Sequence, residues 1–316
     1  MDAIALLFLM YTPSNDTLAQ PVTPSAERCD SRAALGYCAL AVFGFSFTMP
    51  ATRVAALELD PWLVGFSRGA LAGLLALLVL HVRREARPKL SQLRSLALVA
   101  LGVVLGFPLL TALALRHVPA HHAVLVIGLT PLATSLCAAL RNRERPSLGF
   151  WLFALTGASA VVLFAANGRA LHFELADLLL LGAVLLVSLG YAEGGRLAHE
   201  LTGVGVICWA LVLALPLTLL ACALVLFRDG LPSPSLAALG CLGYIAWVST
   251  LFAFVAWYRG LALGGVARGS QVQLLQPILS LAWCALWLGE ALQPSAYLTA
   301  SLVLASAAAT RWLARA

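Results

Sequence analysis

The chain is a succession of apolar stretches of nearly constant length. They fall at about 33–55, 61–81, 95–115, 121–140, 147–166, 175–197, 203–227, 236–258, 267–288 and 295–313, with few residues between them. A helix needs roughly 20 apolar residues to cross a bilayer. In hydrocarbon every backbone N–H and C=O must also find its partner inside the segment. Together these constraints predict an all-α integral membrane protein with ten transmembrane helices. A transmembrane β-barrel would show short alternating segments instead. Of the 316 residues, 61% are hydrophobic and 11% charged, too little polar surface for a soluble domain. Short loops mean that neighbouring helices pack mostly antiparallel.

The pattern also repeats. Pro131 and Glu144 bracket the end of one apolar stretch, and Pro277 and Glu290 bracket another, both pairs 146 residues apart. At the same offset Leu115 meets Leu261, Val126 meets Val272, Leu129 meets Leu275, Ala139 meets Ala285 and Leu140 meets Leu286. Leu, Val and Ala coincide easily in apolar helices. A proline and a glutamate in register, each interrupting the apolar pattern, carry more weight. The chain reads as two copies of one membrane unit.

Basic residues set the expected orientation. With the N-terminus inside, fifteen of the 20 Lys and Arg residues fall in cytoplasmic segments, and Arg53, Arg68, Arg116, Arg169 and Arg228 fall on the other side. Both termini are then cytoplasmic. Five spans per copy is an odd number, so the second copy enters the membrane upside down. The units are expected at 32–167 and 174–314, after a tail over 1–31. The apolar patch Ile4–Tyr11 is too short to span and follows Asp2 rather than a basic residue, so it is read as part of that tail, or as an extension from an upstream start.

Several local patterns resemble the EamA-type carriers of the drug/metabolite transporter superfamily. They are Phe43-Gly-Phe-Ser46, Ser67-Arg68, Ala112-Leu-Ala-Leu115 running into Val118-Pro-Ala120, the Pro131-to-Glu144 stretch with its echo from Pro277 to Ala291, and Gly157-Ala-Ser159. The resemblance covers about 32–314. It implies two inverted five-helix repeats, a central cavity lined by spans one, three, four, six, eight and nine, and transport by alternating access. Span six departs from the family pattern, reading Gly190-Tyr-Ala-Glu-Gly-Gly-Arg196.

The residues themselves nominate contacts for cargo. Gly269, Gln273, Gln276, Ser280, Cys284 and Trp287 recur at helical spacing and form one face of span nine. An amide finds no partner in lipid, so this face is expected to line a wet cavity, with helix-to-helix hydrogen bonding as the alternative. The corresponding face of span four, with Ala123, Ile127, Thr130 and Thr134, is less polar. Pro131 and Pro277 each remove a backbone donor and free a carbonyl one turn earlier, giving a kink, a hinge or a cavity wall. Phe43, Phe47, Tyr191, Trp257 and Tyr258 are candidates to surround an apolar or aromatic cargo, or else core filler. Trp62, Trp151 and Trp312 belong to the interfacial belt.

Charged candidates are few. Arg68 lies about two turns into span two; a snorkelled or structurally paired side chain is expected, with a cavity cation for a carboxylate as the alternative. Glu193 and Arg196 form an i,i+3 pair late in span six, and Glu193 is the one carboxylate with a claim to proton coupling. His117, His121 and His122 cluster at the mouth of span four as polar residues within reach of cargo; a metal site would need further ligands. Glu144 and Glu290 are expected to pair at helix ends. The seven cysteines show no CxxC or Cys/His spacing and read as small core residues.

No HExxH, GxSxG or GxxxxGK[ST] motif is present, so the sequence encodes neither a recognisable hydrolase nor an ATP-driven pump. An intramembrane enzyme and a non-transporting scaffold are the remaining alternatives. The expected function is a secondary carrier of small organic metabolites in a bacterial-type inner membrane, without cofactor and without nucleic acid partner, an exporter by the family resemblance. Neutral amide-bearing and aromatic walls suit amino acids or similar zwitterions. Phosphate cargo would call for several inward cations, and Arg68 alone is a candidate.

Overall fold

A computed structural model describes residues 24–141, 149, 152, 155–156, 159–160, 174–198, 200–273, 275–292 and 294–313. Within them the chain is helical and forms no strand. Its helices are α1 (Pro24–Ser46), α2 (Thr48–Glu58), α3 (Pro61–Arg83), α4 (Leu90–Val99), α5 (Phe107–Leu115), α6 (Ala120–Ile127) and α7 (Thr130–Arg141). They continue as α8 (Leu175–Leu197), α9 (Gly203–Asp229), α10 (Leu236–Gly243), α11 (Ala253–Gln273), α12 (Leu275–Leu288) and α13 (Pro294–Leu313). The segments Ala100–Gly106, between α4 and α5, and Tyr244–Phe252, between α10 and α11, are wound as π-helix.

Among the described residues six helices are long and apolar enough to cross a membrane: Arg32–Glu58, Pro61–Arg83, Leu90–Leu115, Leu175–Leu197, Gly203–Asp229 and Leu236–Gly264. Two shorter apolar helices, Ala120–Thr134 and Leu275–Leu288, lie between them in the bundle. The expected span at 147–166 and Glu144 lie largely outside the described residues. Two boundaries differ from the expectation. The first described helix begins at Pro24, ahead of the membrane-length span that starts at Arg32, and helix continues from Ala253 to Gln273 where a loop was expected at about 259–266. That stretch contains Gly264 and Gly265 but no proline. A glycine costs a helix only about 1 kcal/mol and does not break it.

Helix starts follow local chemistry. Asp60 caps α3, accepting from the N–H groups of Trp62 at 2.9 Å and Leu63 at 3.3 Å, and Pro61 fills the first turn where its missing donor costs nothing. Thr202 and Ser235 cap α9 and α10 in the same way. The outer faces are apolar: Leu74, Leu77, Leu78, Leu217, Leu220 and Leu224 are exposed, as a bilayer solvent requires.

Packing is dominated by three helix pairs. The α1 helix lies against α11, α3 against α9, and the α4–α5 span against α8. The last pair is the closest. A Cβ on Gly102 would sit 2.2 Å from the Leu186 carbonyl oxygen, and one on Gly190 would sit 2.7 Å from the Val103 side chain. Small residues let the two backbones touch.

Each end of the bundle carries a polar network. At one end Glu290, just after α12, accepts from the backbone N–H of Ala120 at 2.8 Å and of His121 at 2.9 Å, and meets the His121 ring at 2.7 Å. Its carboxylate thus caps α6 from across the bundle, where the helix dipole favours negative charge. Arg53 joins it at 3.6 Å and donates to the carbonyls of Leu115 and Val118. Beside it, His122 meets Asp177 of α8 at 2.6 Å. At the other end Arg196 donates to Glu193 at 2.9 Å, to Glu200 at 2.7 Å and to Ser95 at 2.8 Å, while Ser95 donates to Glu193 and Gln92 to Glu200. His121 and His122 are therefore bound into helix-to-helix ties rather than left as free mouth residues. Glu290 pairs with a distant helix start, not with its own.

Two predictions arise here. Gly102→Val drives a side chain into backbone that cannot yield, at a cost of about 3 kcal/mol or more. Thermal unfolding in detergent should show a large loss, whereas Gly240→Ala, with nothing within 4 Å, should be tolerated. The second concerns pH. Burial alone would raise the Glu290 carboxyl, but hydrogen bonds from the His121 ring and from the backbone of His121 and Ala120 outweigh it and hold the group below its ordinary value of 4.5. A depressed native value gives stability that is complete above the ordinary value and lost as pH falls through the native one. The unfolding temperature should therefore fall with acidification below about pH 4.5 in the wild type, and fall less steeply in Glu290→Gln. Equal slopes would remove Glu290 from the tie.

Candidate functional site

Among the described residues three helices of the bundle are interrupted, and a small cavity of about 30 Å³, within about 450 Å³ of free space that includes open solvent, lies where the interruptions face one another. The first break separates α1 from α2 at Phe47, three residues before Pro50. Pro50 cannot donate to the carbonyl of Ser46, and Ser280 of α12 does so instead at 2.7 Å. The second break, at Gly128 and Leu129, separates α6 from α7 ahead of Pro131. There the freed carbonyl of Ile127 accepts from the Thr130 hydroxyl at 2.6 Å. The third separates α11 from α12 ahead of Pro277. Kinks were expected at Pro131 and Pro277 with free carbonyls. At Pro131 the carbonyl is taken up within its own turn, and Pro50 is a third break that the 146-residue register did not bring forward.

The breaks supply much of the cavity wall. Met49 comes from the first, Ile127, Gly128, Thr130 and Pro131 from the second, and Gln273, Gln276 and Pro277 from the third. Phe107, Val124, Val187, Tyr191 and Ser280 complete it. Polar groups are concentrated on one side. Gln273 and Gln276 bring two amides, whereas the Thr130 hydroxyl is already engaged with Ile127. Eight residues singled out from the sequence thus meet around one space: Ile127, Thr130, Pro131, Tyr191, Gln273, Gln276, Pro277 and Ser280.

The other aromatic candidates lie elsewhere. Phe43 is 55% exposed on the bundle surface, its ring edge-on to Trp283. Phe47 packs among Tyr244, Trp283 and Trp287, with ring centres 4.6 to 5.4 Å away. Trp257 and Tyr258 are fully packed in the core between α1, α8 and α9. Trp257 lies 5.8 Å from the Tyr191 ring and 6.2 Å from Phe45. Large rings at helical spacing were bound to read alike; their surroundings separate one that walls a cavity from four that do not.

Arg68 departs most from expectation. It neither snorkels nor joins an ion pair among the described residues, and it is 2% exposed. Its guanidinium is held by hydroxyls of the second π-helical segment: Nε donates to Thr250, and Nη2 donates to Ser249 at 3.2 Å. Ser249 in turn shares a hydrogen bond with Thr48 at 2.7 Å, and Thr250 donates to the Ile245 carbonyl five residues back, in step with the π-helical winding. On its other side the guanidinium carbon sits 5.9 Å from the centre of the Phe107 ring. Nη1 has no hydrogen-bond partner.

Glu193 is also buried, but it lies in the end network with Ser95 and Arg196 and does not line the cavity.

The architecture has known counterparts. A solved crystal structure superposes over 90% of this chain and 98% of its own length with a TM-score of 0.64 at 21% identity, a likeness of fold. An uncharacterized transporter of Bacillus subtilis (strain 168), YdeK, is 44% identical over 77% of this chain and 84% of its own. A probable terminal-alkyne amino-acid exporter of Streptantibioticus cattleyicolor is 28% identical over 69% of this chain and 73% of its own. The model of the EamA-like transporter family matches twice, over residues 32–166 and again over 174–312. With nearly the whole chain covered by two copies of that unit, this multi-pass membrane protein belongs to the EamA-like transporter family, within the drug/metabolite transporter superfamily.

Proposed function

We propose that the protein is a secondary carrier that exports small zwitterionic metabolites, amino acids or close relatives, by alternating access around the cavity at the three helix breaks. The observation that carries this reading is the cavity wall itself: two amides, Gln273 and Gln276, face an otherwise largely apolar space deep in a membrane bundle. Broken helices give a neutral polar cargo hydrogen-bonding groups at a depth where lipid offers none. The relative named as a probable amino-acid exporter supports the cargo class and the direction.

The ten helices form two inverted five-helix repeats in a cell inner membrane, with both termini cytoplasmic. Two features support the repeat. Shifted by the 146-residue offset, Gly106 falls on Phe252, so the two π-helical segments end in register. The helix pairs also exchange under the same shift: α1 with α11 becomes α8 with the α4–α5 span, and α3 with α9 maps onto itself.

Counterflow in proteoliposomes with a panel of labelled amino acids tests the reading. Protein-dependent exchange should fall about tenfold or more when Gln273 and Gln276 both become Leu, since each amide lost removes hydrogen bonds of about 1 kcal/mol. Exchange that survives the double change moves the site; a panel without exchange refutes the cargo class. A proton-coupled antiporter built on Glu193 is the rival mechanism. The Glu193 carboxylate is engaged with Ser95 and Arg196 away from the cavity, so Glu193→Gln should leave the pH profile of exchange unchanged, and a flattened profile would restore the rival.

A further inference from the structure

We infer that Arg68 is the anchor for a carboxylate group of the cargo, reached from the cavity past the Phe107 ring. The inference rests on the carrier reading of that same cavity and adds the ionised group that its substrates must bear.

A guanidinium deep in a membrane bundle is costly, and the usual remedy is a carboxylate partner. Arg68 has none among the described residues. Neutral hydroxyls grip it along one side, from Ser249 and Thr250. Those contacts fix the fork in place yet leave its charge uncompensated. Nη1 is buried and unpartnered, so one donor of the fork is unspent. An unsatisfied buried donor on a cation is expensive to keep, and a planar oxyanion is the chemistry that relieves it.

The position fits. Phe107, whose ring faces the guanidinium at 5.9 Å, also lines the cavity. A cation–π contact holds the charge only loosely beside an aromatic face, so the ring is a removable partition between cavity and cation. It is the first residue after the π-helical segment Ala100–Gly106, and Arg68 is fastened to the other such segment. Irregular winding of this kind recurs at functional sites. A single fork suits one carboxylate rather than a phosphate, which would draw several cations. Gln273 and Gln276 remain to receive the polar group at the other end of a zwitterion, and Met49, Val124, Ile127 and Val187 surround an aliphatic side chain.

The test uses the purified full chain in detergent and four probes of one shape: L-leucine, 4-methylpentanoate, leucinamide and 3-methylbutylamine. The two carboxylates should raise the unfolding temperature by about 3 °C or more at saturation, as a ligand that binds only the folded state must. The amide and the amine should not. Arg68→Gln should weaken half-saturation by L-leucine at least about tenfold. If that variant does not fold, the wild-type series decides alone. Stabilisation by leucinamide equal to that by leucine, stabilisation by none of the four, or an undiminished response in a folded Arg68→Gln overturns the anchor. Counterflow of labelled leucine separates the two readings. Carboxylate stabilisation without counterflow keeps the anchor and removes the carrier; counterflow of leucine competed equally by leucinamide keeps the carrier and removes the anchor.

Discussion

Hydrocarbon leaves no backbone polar group unpartnered without penalty, and this constraint shapes the bundle from its centre outward. A proline in mid-span frees a carbonyl and offers no donor in return. The molecule answers twice in different ways. At Pro131 the neighbouring Thr130 hydroxyl closes the gap inside the same helix. At Pro50 the donor comes from another helix, because Ser280 reaches the Ser46 carbonyl and the Trp283 ring N–H donates to the Ser46 hydroxyl. The second solution ties α12 to α1 at the point where both are irregular. A cavity forms there because interrupted helices cannot pack as closely as continuous ones, and their polar groups need company.

The remainder of the bundle makes that looseness affordable. Gly102 against Leu186 and Gly190 against Val103 bring the α4–α5 span and α8 into backbone contact, which no larger side chain would allow. Close packing at one seam fixes the helices that carry Phe107, Val187 and Tyr191, and hence one wall of the cavity. The opposite wall belongs to α12, whose contacts with α1 and α6 pass largely through side chains and caps. One wall rests on backbone contact, and the other on side-chain hydrogen bonds.

Much of this was legible in the sequence, and the omissions share a cause. Apolar length gave the helices, and two prolines in register pointed to the breaks that face the cavity. Gln273 and Gln276 stood out because an amide in an apolar run has few reasons to be there. Aromatic residues were less legible, since Phe43, Trp257 and Tyr191 carry the same periodic signal whether they face lipid, core or cavity. Contacts between distant residues were not legible at all. Glu290 capping α6 joins positions about 170 apart, and nothing near either residue announces the other. Arg68 was misjudged for the same reason: two turns from a helix end suggests snorkelling, but Ser249 and Thr250, from the far half of the chain, hold it inside. Pro50 needed no distant information. Its position after Phe47 carries the same donor-deficit logic as Pro131, but its register partner at 196 is arginine, so the repeat did not bring it forward.

The two end networks bear on how such a bundle would cycle. One joins α6, α8 and the end of α12 through Glu290, His121, His122 and Asp177; the other joins α4 and α8 through Ser95, Glu193 and Arg196. Both are built from charge-assisted hydrogen bonds, and both hold α8, which carries Val187 and Tyr191 of the cavity wall. A carrier needs its two open states close in free energy, because a large difference would trap cargo on one side. Closures of similar chemistry at opposite ends are a direct route to that balance. α8 takes part in both, so Val187 and Tyr191 sit on a helix that is tied near each of its ends.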